Sequence, residues 1–493
     1  MNAEKSIRDY HQAYFLGIGG IGMSAIARYF LQTGLPVFGY DKTPSTLTAS
    51  LESEGAAITY NDQLEALPNP VQEDLENTLI VLTPAIPKDH PQWQWLIKQN
   101  ATILKRSEVL GSIARGGFCI AVAGTHGKTT TSTLIAHLLY ECNVNFTAFL
   151  GGISANYQTN YLRKTNGLDY QVSANHNPNS GSQISQQAPP SAKEIIVLEA
   201  DEFDRSFHKL NPDLAVITAI DPDHLDIYGT KEAFEQAFVD FTHLIQPHGG
   251  LMIQENLHIP VASDIQSRTY GTKETANFQA QNIHIEGGDF CFTLTQNQTQ
   301  VDKFRCGLPG HHNVQNAVAA LGICYGFLGL NLEALKKGIA SYKGAKRRFE
   351  YVHKTENYVV IDDYAHHPEE LNAIIGSVKT LYPNKTITGI FQPHLFSRTQ
   401  DFAQGFADSL SQLDQVWLMD IYPAREKPIP GVDSDWLLSL IANPKKVKVD
   451  PTQILENIET LTPEVLLILG AGDIDRIVQP IAKLYEKIDA RTQ

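Results

Sequence analysis

The chain has 493 residues, too many for one ordinary hydrophobic core, and its length suggests two to four domains. Its 42% hydrophobic and 19% charged residues are those of a soluble globular protein, and its formal charge of −15 argues against a nucleic-acid partner that needs a broad basic face. Five cysteines with no C-x-x-C pair suit reduced thiols in the cytoplasm better than a disulfide framework or a structural zinc site, and neither a signal peptide nor a membrane span is legible.

In chain order, the first predicted strand, 14–18, runs into Gly17-Ile18-Gly19-Gly20-Ile21-Gly22, a G-x-G-x-x-G loop. Ile21, Ala25, Ile26, Tyr29 and Phe30 then line one face of a helix, and a second strand, 37–40, ends at Asp41. An acidic residue about 20 positions beyond the glycines completes a dinucleotide-binding layout. Physically the loop specifies only a pyrophosphate against a helix N-terminus, which NAD and a nucleotide sugar satisfy equally. Strands at 78–82 and 102–104 extend an open parallel sheet to about residue 115. Thr83 follows the first of them, where doubly wound sheets place ligand contacts.

The apolar run Phe118 to Ala123 predicts a buried strand. It leads through Gly124-Thr125-His126-Gly127 to Lys128, Thr129 and Thr130 and into an apolar-faced helix. Strand, glycine turn, lysine, hydroxyl and helix hold a polyphosphate: backbone N–H groups face the anion, Lys128 adds charge and Thr129 can ligate Mg²⁺. Val122 stands where the strict P-loop has its first glycine, so a shorter loop carries the phosphates. A P-loop lysine is expected to be held by its ligand and not by the protein core. Residues 171–192, rich in Asn, Ser, Gln and Pro, read as a disordered surface insertion or, less simply, a binding loop.

A buried strand at 194–200 ends in Glu199-Ala200-Asp201-Glu202, which places Glu199 first, and Asp201 and Glu202 after it, as carboxylates for the nucleotide's Mg²⁺. Another strand, 214–218, precedes Asp221-Pro222-Asp223-His224, where His224 among carboxylates makes a second metal site plausible. Asn313 and Asn316 open a helix after Gly307 to His312, either to read an adenine edge or, for Asn313, to cap the helix. From about residue 341 a third α/β unit begins with Lys343, Lys346, Arg347 and Arg348. Its strands at 359–361, 386–391, 416–419 and 465–469 send Asp362 to Pro368, Gln392 to His394 and Gly470 to Asp473 to one edge.

With GIGGIGM, GTHGKTTT, LEADEFDRSF, DPDHLDIY, LPGHHN, RRFE, DDYAHHP and GAGDID in this order, the chain closely resembles the Mur ligases of bacterial cell-wall synthesis. The resemblance covers nearly everything outside 171–192. It implies an α/β protein of three domains, N-terminal Rossmann-like, central P-loop ATPase-like and C-terminal Rossmann-like, with mostly parallel sheets. They would span 1–115 for a UDP-sugar, 116–340 for ATP and 341–493 for an amino acid. It further implies a cytoplasmic, ATP-dependent ligase with Mg²⁺, joining L-alanine to UDP-N-acetylmuramate; a recycling ligase that adds a ready-made peptide is the alternative. On this resemblance Gly17, Gly19, Gly20, Ile21, Gly22, Asp41 and Thr83 would hold the UDP-sugar. Gly124 to Thr130, Asn313, Asn316, Arg347 and Asp362 would hold the nucleotide. Lys128 would contact the terminal phosphates, Thr129 and Glu199 one Mg²⁺ and His224 a second, while His394 and Arg398 would face the reacting groups. Other members carry a carboxylated lysine supporting the second metal; Phe238 stands at the matching place, as expected of the alanine-adding branch.

Overall fold

The computed structural model describes residues 5–170, 193–221, 225–424 and 426–492. The 171–192 insertion and His224 lie outside the described residues. The chain forms two compact units, one of Met1–Gln281, Thr293–Phe304 and Gln315–Tyr342, the other of Asn282–Phe292, Arg305–Val314 and Lys343–Gln493.

The first sheet comprises β1 (Gln12–Leu16), β2 (Val37–Tyr40), β3 (Ala57–Thr59), β4 (Thr78–Leu82) and β5 (Ile103–Lys105). Its order is β3-β2-β1-β4-β5 with every pairing parallel. Parallel strands covered by helices on both faces are apolar throughout, and all five residues of β1 are buried. The strand order reverses beside β1, so the loops after β1 and β4 flank the crevice that such a sheet leaves for a ligand.

The second sheet has ten strands: β6 (Phe118–Ala123), β7 (Phe146–Phe149), β8 (Tyr161–Lys164), β9 (Ile195–Glu199), β10 (Leu214–Ile217), β11 (Gly250–Gln254), β12 (Gln266–Gly271), β13 (Phe278–Glu286), β14 (Asp289–Gln296) and β15 (Thr299–Cys306). They run β15-β14-β13-β12-β11-β10-β6-β9-β7-β8. β6 therefore lies between β10 and β9, parallel to both, and the P-loop that follows it emerges between their carboxyl ends. The third sheet, in the second unit, orders β16 (Glu350–Lys354), β17 (Val359–Asp363), β18 (Ile387–Phe391), β19 (Gln415–Leu418), β20 (Lys446–Lys448) and β21 (Val465–Leu469) as β16-β17-β21-β18-β19-β20. Only its edge strand β16 is antiparallel. The fold is thus α/β with mostly parallel sheets, as expected. Asp362 and Asp363 lie within β17 and not beyond it, because both are buried in the ladder with β21.

Packing explains Phe238. The helix Lys231–Thr242, capped by the Thr230 side chain, turns Phe234, Phe238 and Phe241 inward. Phe238 is fully buried, with Phe207 and Phe234 each edge-on at 5.3 Å between ring centroids. A carboxylated lysine there would bring an unpaired charge into an aromatic core, so the position now serves packing. Phe238→Ala should destabilise the first unit by about 3–5 kcal/mol through the cavity left behind, read as a lowered urea midpoint.

Candidate active site

Two left-handed glycines shape the phosphate loop. Gly124 has φ +127° and Gly127 +80°, and a Cβ on Gly124 would lie 2.2 Å from the Thr218 hydroxyl. Gly127 precedes the helix Lys128–Glu141 and offers no side-chain cap, which leaves the first N–H groups of that helix for an anion. The loop is braced from β10: the Thr218 hydroxyl donates to the His126 carbonyl, and the Asp221 N–H donates to Thr125 Oγ1 at 3.1 Å. The His126 ring lies 3.5 Å from the Asp221 carboxylate. Thr130 is buried on the helix, its carbonyl accepting from the Tyr342 hydroxyl at 2.9 Å.

Lys128 departs from expectation. Its ammonium donates to the Gly124 carbonyl at 2.6 Å and to Glu202 at 2.8–2.9 Å. Burial opposes its charge, but Glu202, then Glu199 and Asp201, outweigh that and hold its pKa above the usual lysine range. Glu202 is only 3% exposed. The lysine is therefore seated by the protein itself, since a buried carboxylate next to the loop requires a counter-charge. The Thr129 hydroxyl donates to Glu199 at 3.0 Å, which joins the P-loop helix to the end of β9. Gly151 makes room for that carboxylate, because a Cβ there would lie 1.7 Å from Glu199 Oε2. The sequence reading placed Glu202, with Asp201, behind Glu199 and passed over Gly151; the Gly151-Gly152 pair after β7 was the available signal.

The first glycine loop converges on the same region. Gly17, at φ +89°, packs so closely on Thr83 that a Cβ would lie 2.4 Å from its methyl group. The Asp41 carboxylate accepts from the Gly19 N–H at 2.8 Å. Gly20 caps the helix Ile21–Gln32 without a side-chain bond, so this N-terminus too is open to an anion. Gly22 lies against Arg106, whose guanidinium would be 2.8 Å from a Cβ there and which reaches Asp201 at 3.2 Å. Arg106, which the sequence reading missed, therefore connects the first loop to the acidic end of β9. Buried Arg28 bonds Glu54, Ser50 and Asn160, the last of these just before β8.

Asn316 lies on the P-loop side: its Oδ1 accepts from the Thr131 hydroxyl at 3.3 Å and would be 2.7 Å from a Cβ on Gly127. Asn313 closes the preceding turn, donating to the Pro309 carbonyl at 2.6 Å. In the second unit Arg347 adopts a left-handed φ of +59°, a strained conformation for arginine, and donates to Asp362 at 3.1 Å and to the Gly470 carbonyl at 2.6 Å. Burial pushes the Asp362 carboxyl up to about 7 against the pull of Arg347, and its Oδ1 is buried with no hydrogen-bond partner. His394 stacks on Tyr422, with 5.7 Å between ring centroids. Burial, then His366 and Arg398, lower its pKa to about 4, so the imidazole is neutral near pH 7, and its buried Nδ1 has no partner. An open nitrogen on a neutral ring can accept a hydrogen bond, while burial and Arg398 oppose its protonation.

A glycine loop open to an anion, a P-loop with an acidic partner strand and a third α/β sheet make this an α/β protein of the nucleotide-binding class. Family models match residues 12–117 (Mur ligase family, catalytic domain), 122–324 (Mur ligase middle domain) and 347–474 (Mur ligase, glutamate ligase domain). The chain belongs to the Mur ligase family. It is 47% identical over 481 residues to the UDP-N-acetylmuramate–L-alanine ligase of Porphyromonas gingivalis, covering 97% of this chain and 99% of that protein. To the ligase of the same name from Christiangramia forsetii it is 43% identical over 479 residues, 97% and 98% of the two chains. The crystal structure of the Thermotoga maritima UDP-N-acetylmuramate–alanine ligase superposes with a TM-score of 0.75 at 26% identity, over 97% of this chain and 99% of that one.

The Lys128–Glu202 pair separates function from stability. Lys128→Ala should cut turnover by roughly 10²–10³. It should also destabilise the protein by about 3–5 kcal/mol, because Glu202 is left buried and unpaired. Adding Glu202→Gln to Lys128→Ala should restore much of the stability and none of the turnover, as measured by urea unfolding and phosphate release on the single and double variants.

Proposed function

We propose that this chain is an ATP-dependent ligase that joins the amine of L-alanine to the lactyl carboxylate of UDP-N-acetylmuramate, in peptidoglycan precursor synthesis. The observation that carries this is the near full-length identity of 42–47% to UDP-N-acetylmuramate–L-alanine ligases, together with a P-loop lysine seated against carboxylates at the end of β9. The assignment of residues 1–115 to the UDP-sugar, 116–340 to ATP and 341–493 to the amino acid rests on the family, as does a cytoplasmic location. No helix among the described residues is long and apolar enough to cross a membrane, and all five cysteines are free.

A carboxylate is a poor electrophile. In this reading the lactyl carboxylate attacks the γ-phosphorus of ATP and ADP leaves, giving an acyl phosphate. The neutral amine of alanine then attacks the acyl carbon and inorganic phosphate leaves. Lys128 would exchange Glu202 for the terminal phosphates, keeping its charge and its place at the helix N-terminus. The hydroxyl of Thr129 and the carboxylate of Glu199 are hard oxygen donors that suit Mg²⁺, and His224 would serve a second ion. Mg²⁺ bound there supplies positive charge between two anions that would otherwise repel. Asn316 and Asn313 would contact adenine, Arg347 and Asp362 the nucleotide. Arg398 would bind the alanine carboxylate and His394 would face the amine, whose ammonium proton passes to a nearby base before attack.

A murein peptide ligase from Psychrobacter arcticus has the same fold, with a TM-score of 0.64 at 20% identity over 96% of this chain and 98% of that one. The amine substrate tells the two activities apart. Phosphate release should depend on L-alanine, with free tripeptide inert; a tripeptide-bearing product by mass spectrometry would hand the assignment to the peptide-adding reaction. Glycine lacks one methyl group, which is worth about 1–3 kcal/mol in an apolar pocket, so it should react at roughly a tenth to a two-hundredth of the alanine efficiency. In a separate assay, UDP-N-acetylmuramate should raise the melting temperature while NAD at equal concentration does not.

A further inference from the structure

Away from the nucleotide, we infer that the tip of the β13–β14 hairpin is a binding site for a zinc-like divalent cation, with Cys291, His284 and Glu286 as ligands. One ligand atom from each lies within 4.8 Å of the others, the single such group of three among the described residues. The strands are joined by Gly287 and Gly288, with φ +62° and +87°, the conformations a tight two-residue turn demands. A loop of that length sets Glu286 opposite Asp289 and hence His284 opposite Cys291. Glu286, two residues beyond His284, lies on the same face of the strand.

The side chains are prepared for a metal in two ways. His284 Nδ1 lies 2.7 Å from the Asn282 carbonyl, to which it can only donate. This fixes the tautomer and leaves Nε2 with its lone pair free, the arrangement that supports metal-binding histidines. The Cys291 thiol, 8% exposed, lies 3.9 Å from a Glu286 oxygen. Glu286 and Asp289 surround it with negative charge that Arg305 partly offsets. The same negative field favours a doubly charged cation, whose binding would release the thiol proton to solvent.

Sulfur, nitrogen and oxygen donors together suit Zn²⁺, leaving a fourth position for water, and they do not suit Mg²⁺, which prefers oxygen alone. Tetrahedral Zn²⁺ needs its donors roughly 3.3–3.6 Å apart. Cys291 is the fixed point, while His284 and Glu286 are exposed and can close on it. Arg305 does not block this: it holds Asp289 at 3.0 Å and Glu286 only at 3.6 Å, and it is half exposed.

The test is Co²⁺ titration of the full chain, stripped of metal, with reduced thiols and no nucleotide. One equivalent should produce thiolate-to-cobalt charge-transfer absorption, reversed by Zn²⁺ and not by Mg²⁺. Cys291→Ser should abolish the band and His284→Ala should weaken Co²⁺ binding by about tenfold or more, with metal-free melting temperatures unchanged for both. The phosphate-loop oxygens carry no thiol, so they cannot produce this signal. Absence of the band in the unmodified protein, or its survival in Cys291→Ser, would overturn the proposal. So would its dependence on Cys306 in place of Cys291.

Discussion

The active end of the first unit depends on one buried ammonium. Lys128 satisfies Glu202 and the Gly124 carbonyl at once, so the P-loop, β6 and the end of β9 are tied together through a single charge. The desolvation of that charge is incurred on folding, with a carboxylate as the compensating partner. In the proposed reaction a phosphate would replace the carboxylate, so one anion would take the place of another and little of that cost would recur. On that proposal the loop is shaped before its ligand arrives, which is the condition for electrostatic stabilisation of a charged transition state.

A second constraint is how little space the chemistry leaves between main chain and side chains. The Glu199 carboxylate occupies the place where any residue but glycine at 151 would put its Cβ, and the Arg106 guanidinium does the same over Gly22. These approaches bring the first glycine loop and the acidic end of β9 to one region through Arg106 and Asp201.

The second unit relies on strain and burial. Arg347 and Leu395 carry positive φ values of +59° and +71° without being glycine, and both sit beside groups with shifted protonation. Arg347 is pinned by Asp362 and the Gly470 carbonyl, while Glu426 accepts from the Ser397 N–H at 3.0 Å and so steadies the turn that carries His394. Strained residues persist where their surroundings over-determine them, and here those surroundings are part-buried hydrogen bonds.

The sequence by itself determined whatever depends on near neighbours along the chain. The strands 78–82, 118–123 and 465–469 were legible to the residue because buried parallel strands are uninterrupted apolar runs, and both glycine loops were legible because strand, turn and helix are contiguous. The order of eight motifs carried the family. The sequence reading did not resolve β11 to β15, and in β12, β13 and β15 exposed faces break the apolar pattern with polar residues. Nor did it resolve the partner of Lys128, 74 residues away, or the reach of Arg106 to Asp201 across 95. The role of Phe238 as a core ring was equally hidden. Those facts belong to tertiary structure alone, because a side chain's charge and burial are decided by which elements the sheet order brings beside it, and that order is not written in local periodicity.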